Sequence, residues 1–211
     1  MRKLCVFLWF LLPVAAGAYH YGPGQDRLRA DRAAGAVERG DAAAARARAI
    51  AASEGDAAAR SDWAEAEAAY TEALAELPPE RVAEARVLRL ERAKAQMFVS
   101  KLPEARGDLV ALVDELAADP LADGELLGRA RDALANAQYY TTWLMRLEGR
   151  PREEWERESE SSRQNYTLLV EDAERAGDSA AALSARENLE SAIRLARMDL
   201  DELQGLPLPS Q

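Results

Sequence analysis

Gly-Asp pairs at 40–41, 55–56 and 177–178, with prolines at 79, 103, 120 and 151, fall between stretches of helix-forming residues. These are punctuation marks in a chain otherwise written in helix formers. Between Asp26 and Leu203 no segment alternates apolar and polar residues with the period of a strand, while alanine, leucine, glutamate and arginine dominate. Glycine can take the left-handed turn that ends a helix, and aspartate can cap the next one. Read this way, the punctuation predicts eight helices: Asp26 to Arg39, Asp41 to Ser53, Asp56 to Leu77, Pro79 to Val99, Pro103 to Ala118, Asp123 to Glu148, Arg152 to Ala176 and Asp178 to Leu203. The fold class is all-α, with short helical hairpins first and longer helices towards the C-terminus.

Within the third helix, Asp62 to Pro78 reads DWAEAEAAYTEALAELP. Ala66 and Ala73 fall on one helical face and let a neighbouring helix come close; Tyr70 fills the space between them, and Pro78 ends the helix. This spacing resembles the second helix of a tetratricopeptide (TPR) hairpin, a protein–protein interaction repeat. A second, fainter unit carries Ala93 and Ala105 at the small packing positions, with Leu109, Leu112 and Ala117 following. It departs from the family's pattern at Gln96, where an aromatic is usual, and at Glu54, where the first unit lacks a small residue. The units also lie farther apart than the family's repeat length. The resemblance implies TPR-like antiparallel hairpins in a short α-solenoid, acting as an interaction module. It also implies that the first helix of a hairpin faces a partner, which for the fourth helix gives a groove of Val87, Leu90, Lys94, Met97 and Phe98. Met97 and Phe98 beside a lysine suit an amphipathic protein partner.

The N-terminus sets an address. Arg2 and Lys3 precede an apolar run from Leu4 to Ala15, and Ala16-Gly17-Ala18 has the form a signal peptidase accepts. Residues 1–18 therefore read as a signal peptide, with Tyr19 as the first mature residue and 19–25 as an extended leader. The alternative is an anchor through 4–18, with the body facing outward; the run is shorter than a spanning helix needs. Few lysines, many arginines and abundant alanine suggest a bacterial source, and so a periplasmic, cell-envelope location. Cys5 is the only cysteine and lies within the signal, so packing alone must hold the mature chain. The helical domain is expected over 26–203 and a proline-containing, extended tail over 204–211.

The formal charge is −10, and losing Arg2 and Lys3 makes it more negative. No basic patch dominates, which argues against nucleic-acid binding. His20 is the only histidine, and hydrolase, zinc and phosphate-loop signatures are missing from the sequence. No catalytic, cofactor or metal residues are assigned. The acidic run from Glu153 to Glu160 around Trp155 reads as a solvated helix start. The remaining cluster is Tyr139, Tyr140 and Trp143. It is either an aromatic floor for a ligand or part of a core stripe with Ala133, Ala137, Leu144 and Leu147, and the stripe favours the core. The expected function is a non-enzymatic scaffold of the bacterial cell envelope. The alternatives are a periplasmic ligand binder using the aromatic cluster, or a carboxylate-dependent cell-wall enzyme.

Overall fold

The computed structural model describes residues 23–204; the expected signal, Cys5, His20 and most of the leader and tail lie outside them. The described residues form eight helices and no strand: α1 (Pro23–Glu54), α2 (Asp56–Glu76), α3 (Val82–Gln96), α4 (Leu102–Ala118), α5 (Gly124–Leu147), α6 (Arg152–Ala176), α7 (Ser179–Arg197) and α8 (Leu200–Gln204). The chain is all-α.

The number matches the expectation, but the divisions differ. The two helices expected on either side of Gly40 are one 32-residue helix, α1, which already begins at Pro23, inside the expected leader. Gly40 does not turn the chain. A Cβ placed there would lie 2.7 Å from Tyr70 Cε1, so the missing side chain makes a notch for the tyrosine ring. Asp41, beside the notch, accepts the Tyr70 hydroxyl at 2.8 Å. Burial first, and then the Asp41 carboxylate, raise the Tyr70 pKa. At 55–56 and 177–178 the Gly-Asp pair does mark a junction. Gly177 is left-handed (φ 74°), and the Asp178 carboxylate accepts the N–H groups of Ala180 and Ala181 at 3.1 and 3.0 Å. Two further corrections concern ends. Pro79 lies in a turn rather than at a helix start, because α3 begins only at Val82. The last expected helix breaks after Arg197, leaving α8 as a separate five-residue piece.

Neighbouring helices run antiparallel, and arginine–carboxylate rungs show it. In the first hairpin Arg32 meets Glu76 at 3.1 Å and Arg46 meets Asp62 at 2.9 Å, so the start of α1 lies by the end of α2. In the second, Arg86 bridges Glu115 and Asp119 near the end of α4 at 2.8 and 2.9 Å, and Arg92 pairs with Asp108 at 2.7 Å. In the third, Arg131 meets Asp172 at 3.1 Å. From α1 to α7 each helix packs chiefly on its neighbours in the chain; α3 also touches α5, α5 touches α7, and the short α8 packs on α5. On the opposite side Arg106 of α4 forms a bidentate pair with the buried Glu158 of α6. The odd-numbered helices from α3 onward thus follow one another along an inner face, and the even-numbered ones along an outer face.

The core is a series rather than one mass. An alanine seam joins α1 and α2: Ala36, Ala43, Ala44 and Ala47 meet Ala59, Ala66 and Ala73, with Trp63 and Tyr70 as the large members. Leu90, Ala93, Ala105, Leu109, Leu112 and Leu116 continue the core through α3 and α4 to Leu126 and Ala130 of α5. Ala135, Tyr166 and Ala192 carry it through α5, α6 and α7. A last group, Trp143, Leu195 and Leu203, closes the end under α8.

Two outcomes check this packing. Gly40→Ala should lower the melting temperature: the helix-propensity gain of about 1 kcal/mol is outweighed by overpacking against Tyr70, at about 1–3 kcal/mol. Gly35→Ala is the control, since its Cβ meets only Arg39 Nη1 at 3.8 Å, and should raise it. Equal gains would mean that Gly40 seats nothing. The second concerns acid. Arg86 and then Arg89 hold the Glu115 carboxyl below its ordinary range. Its folded pKa is the lower one, so its stabilising effect is present above the unfolded value and fades as pH falls through the carboxylate range. Thermal melts of Glu115→Gln should therefore lie below wild type at neutral pH and converge with it only once the pH has fallen below the ordinary carboxylate range.

Candidate inner-face site

The five residues expected to line one groove go to different places. Leu90 and Met97 are buried against α4 and α5 in the continuing core. Phe98 turns towards α2 and stacks on Trp63, with ring centroids 4.6 Å apart and planes 12° apart. Lys94 is half-buried and reaches Glu91 at 3.3 Å. Val87 is exposed and lines a groove of about 610 Å³ between α1 and α3, together with Val37, Leu77, Pro78 and Leu88. The expected groove is therefore not one surface, because a helix packed on both neighbours keeps only a narrow stripe for anything else. Of the other repeat positions, Ala66, Ala73, Ala93 and Ala105 are fully buried and Tyr70 nearly so. Pro78 follows the end of α2 at the rim of that groove.

The stripe that remains on α3 holds Val87, Glu91 and Lys94. It continues on α5 through Arg129, Asp132, Asn136, Tyr139 and Tyr140, spaced to share one side of that helix. Arg129 crosses between the two helices and holds Glu91 at 2.7 Å. The three aromatic residues of α5 divide. Trp143 is 5% exposed, enclosed by Leu195 and Leu203, and its indole Nε1 has no hydrogen-bond partner among the described residues. Tyr139 and Tyr140 are half-buried, in edge contact with each other at 5.5 Å. Arg146, one turn further, locks the far end. Its guanidinium donates to the carbonyls of Leu195 and Met198 and lies 4.8 Å from the Trp155 ring. The carbonyls are unpaired groups at the end of α7, so the cation acts as their cap. Four of the five glutamates around Trp155 are paired with arginine: Glu154 with Arg150, Glu156 with Arg152, Glu158 with Arg106 and Glu160 with Arg163. Asn165 of the Asn-Tyr-Thr sequon is held within α6 and by Gln138 of α5 at 3.0 Å.

Asp132 is the residue that reading the sequence missed. It is open to solvent by surface, yet the surrounding protein raises its carboxyl pKa, against the opposing pull of Lys94. Asp132 has no hydrogen bond or ion pair among the described residues. Tyr166 of α6 reaches the same place: burial first, then Asp132, Tyr140 and Tyr139 raise its phenol pKa. No second carboxylate is among the groups that shift Asp132. Among the described residues no three His, Cys, Asp or Glu side chains are grouped to hold a metal ion, and no helix is long and apolar enough to cross a membrane. No family model, curated protein or solved structure matches the chain.

A raised carboxyl pKa gives a signed expectation. Asp132 has the higher pKa when folded, so charging it opposes folding as pH rises through its range. Asp132→Asn should melt above wild type at pH 7, with the difference vanishing in acid. A melting temperature lowered by the substitution at pH 7 would mean that the carboxylate is structurally paired.

Proposed function

We propose that the protein is a TPR-like helical-repeat scaffold that binds a protein partner along its inner face, without catalysing a reaction, in the bacterial cell envelope. The observation that carries this reading is the stripe of Val87, Glu91, Lys94, Arg129, Asp132 and Asn136, which the core clusters leave out while it runs across two stacked hairpins, with the half-buried Tyr139 and Tyr140 at its end. A surface built from successive hairpins, charged and aromatic together, suits an extended partner better than a small enclosed ligand. The burial of Ala66, Tyr70, Ala73, Ala93 and Ala105, the positions whose spacing resembles the repeat, supports the TPR-like assignment. The envelope location rests on residues 1–18, outside the described part of the chain. The ligand-binder alternative has less support than it had from sequence, because Trp143 lies in a core rather than on an aromatic floor. An enzyme would need a second carboxylate working with Asp132.

Affinity capture from envelope extracts tests the surface. The double variant Val87→Glu/Asn136→Lys alters the inner stripe, and Leu168→Glu/Glu171→Lys alters exposed positions of α6. Proteins captured by the wild type should be lost with the first variant and kept with the second, both variants melting near the wild-type temperature. Equal capture by both would remove the inner face from the interaction.

A further inference from the structure

Between α1 and α3 lies a groove of about 610 Å³. Along the inner face α3 touches α5 and α5 touches α7, but α1 and α3 make no comparable contact. Ala30, Ala34 and Val37 of α1 line one wall of the groove and Val87 and Leu88 of α3 the other, with Leu77 between them. Positions 30, 34 and 37 have the spacing of a helix-packing stripe. α1 therefore carries two such stripes. Ala36, Ala43 and Ala47 are covered by α2, whereas Ala34 is exposed and Ala30 and Val37 are only partly covered. No hydroxyl, amide or aromatic side chain of a described residue lines the groove, so it lacks the polar groups that orient a small molecule.

The rim is acidic. Asp31 and Glu38 line it from α1, seven residues apart on one side of the helix and so roughly 10 Å apart along its axis. Both are exposed, and neither has an ion pair or hydrogen bond among the described residues. Arg81, the one cation among the described lining residues, is held by Glu84 at 2.6 Å. Another side of the same helix shows what answers such a spacing. Arg32, Arg39 and Arg46, each seven residues from the next, meet Glu76, Glu72 and Asp62 of α2 at 3.1, 2.7 and 2.9 Å. There, a stripe of small residues flanked by charges one heptad apart has a helix packed on it. At Ala30, Ala34 and Val37 the stripe and the charges are present and the helix is not.

We infer that the groove between α1 and α3 seats an amphipathic helix of a partner protein, its apolar face on Ala34 and Val37 and two arginines or lysines, one heptad apart, answering Asp31 and Glu38. The inference rests on the scaffold reading, whose inner stripe meets the groove at Val87, and adds the chemistry that the partner carries there. The chain's own residues 205–211 include no basic side chain to meet the two carboxylates. Two copies of a chain with a formal charge of −10 repel each other, and the same charge draws a basic helix in.

The test is fluorescence anisotropy of labelled eighteen-residue peptides added to the full chain. The first peptide has alanine and leucine on one helical face, arginines one heptad apart beside it and glutamine elsewhere. The second has glutamates for the arginines, and the third is the first with a central proline. The first should bind; the second and third should not. Asp31→Asn/Glu38→Gln should weaken the first about five-fold, as loss of two exposed ion pairs does. Ala34→Glu, which puts a charge into the apolar contact, should weaken it more than about ten-fold. Glu171→Gln/Glu187→Gln removes the same charge from α6 and α7 and should change binding by less than about two-fold. All five positions are exposed, so the variants should keep the wild-type circular dichroism. Equal losses from the two carboxylate pairs, or a proline peptide that binds as well as the first, would overturn the site. A wild-type dimer in sedimentation that Ala34→Glu makes monomeric would give the groove to a second copy. A peptide that binds only after residues 205–211 are removed would give it to the chain's own tail. Either result overturns the partner helix. If no peptide binds, and envelope capture ignores Ala34→Glu but is still lost with Val87→Glu/Asn136→Lys, this inference falls and the scaffold reading stands. If capture is indifferent to both variants, both fall.

Discussion

Apart from the short α8, a helix in this chain is buried by the helix before it and the helix after it, with little help from farther away. That constraint decides almost everything else. It explains why the core is a relay of small clusters, each shared by two or three successive helices, and why the seams use alanine where two backbones come close. It also explains the arginine–carboxylate rungs. They sit at the margins of each hairpin, where one charge too few would leave the pairing free to slide. The seam between α1 and α2 is the extreme case: its contacts are nearly all methyl groups, and one tyrosine in one glycine notch supplies the register that methyl groups cannot.

Much of this was legible in the residues, for a physical reason. Ala66, Tyr70 and Ala73, and then Ala93 and Ala105, are periodic, and periodicity is what helix packing writes into a sequence. The four helices with strong stops at both ends, α2, α4, α5 and α6, were bounded closely by glycine, proline and aspartate. Gly40-Asp41 was misread because the same two residues serve opposite purposes. At a turn, glycine offers backbone freedom and aspartate offers a cap. Mid-helix, glycine offers an empty space and aspartate an acceptor for a hydroxyl. Only the ring that fills the space, thirty residues downstream in another helix, tells them apart (Gly107-Asp108, inside α4, is a second mid-helix pair). The groove on α3 failed differently. Five residues on one side of a helix make a surface only if no neighbour claims the edges, and α2, α4 and α5 claim them.

The site was the least legible part. Asp132 has no motif, and Tyr166 joins it from a helix that the sequence places more than thirty positions away. One signal was available: an aspartate four residues from Asn136 and seven from Tyr139, on the helix face shared with them. A charged residue on a half-sheltered stripe opposes folding unless something answers it.

The short α8 has a consequence for the order in which the molecule can be completed. Leu203 is fully buried on Trp143 and Leu195, yet Trp143 is synthesised some sixty residues earlier. Until α8 arrives, the end of α5 presents a bare indole, and Arg146 has no Met198 carbonyl to hold. During synthesis the first two hairpins can close as they emerge, whereas the third must wait with an apolar end uncovered. That interval is when a chaperone would find the chain most attractive, and it ends with a helix of five residues.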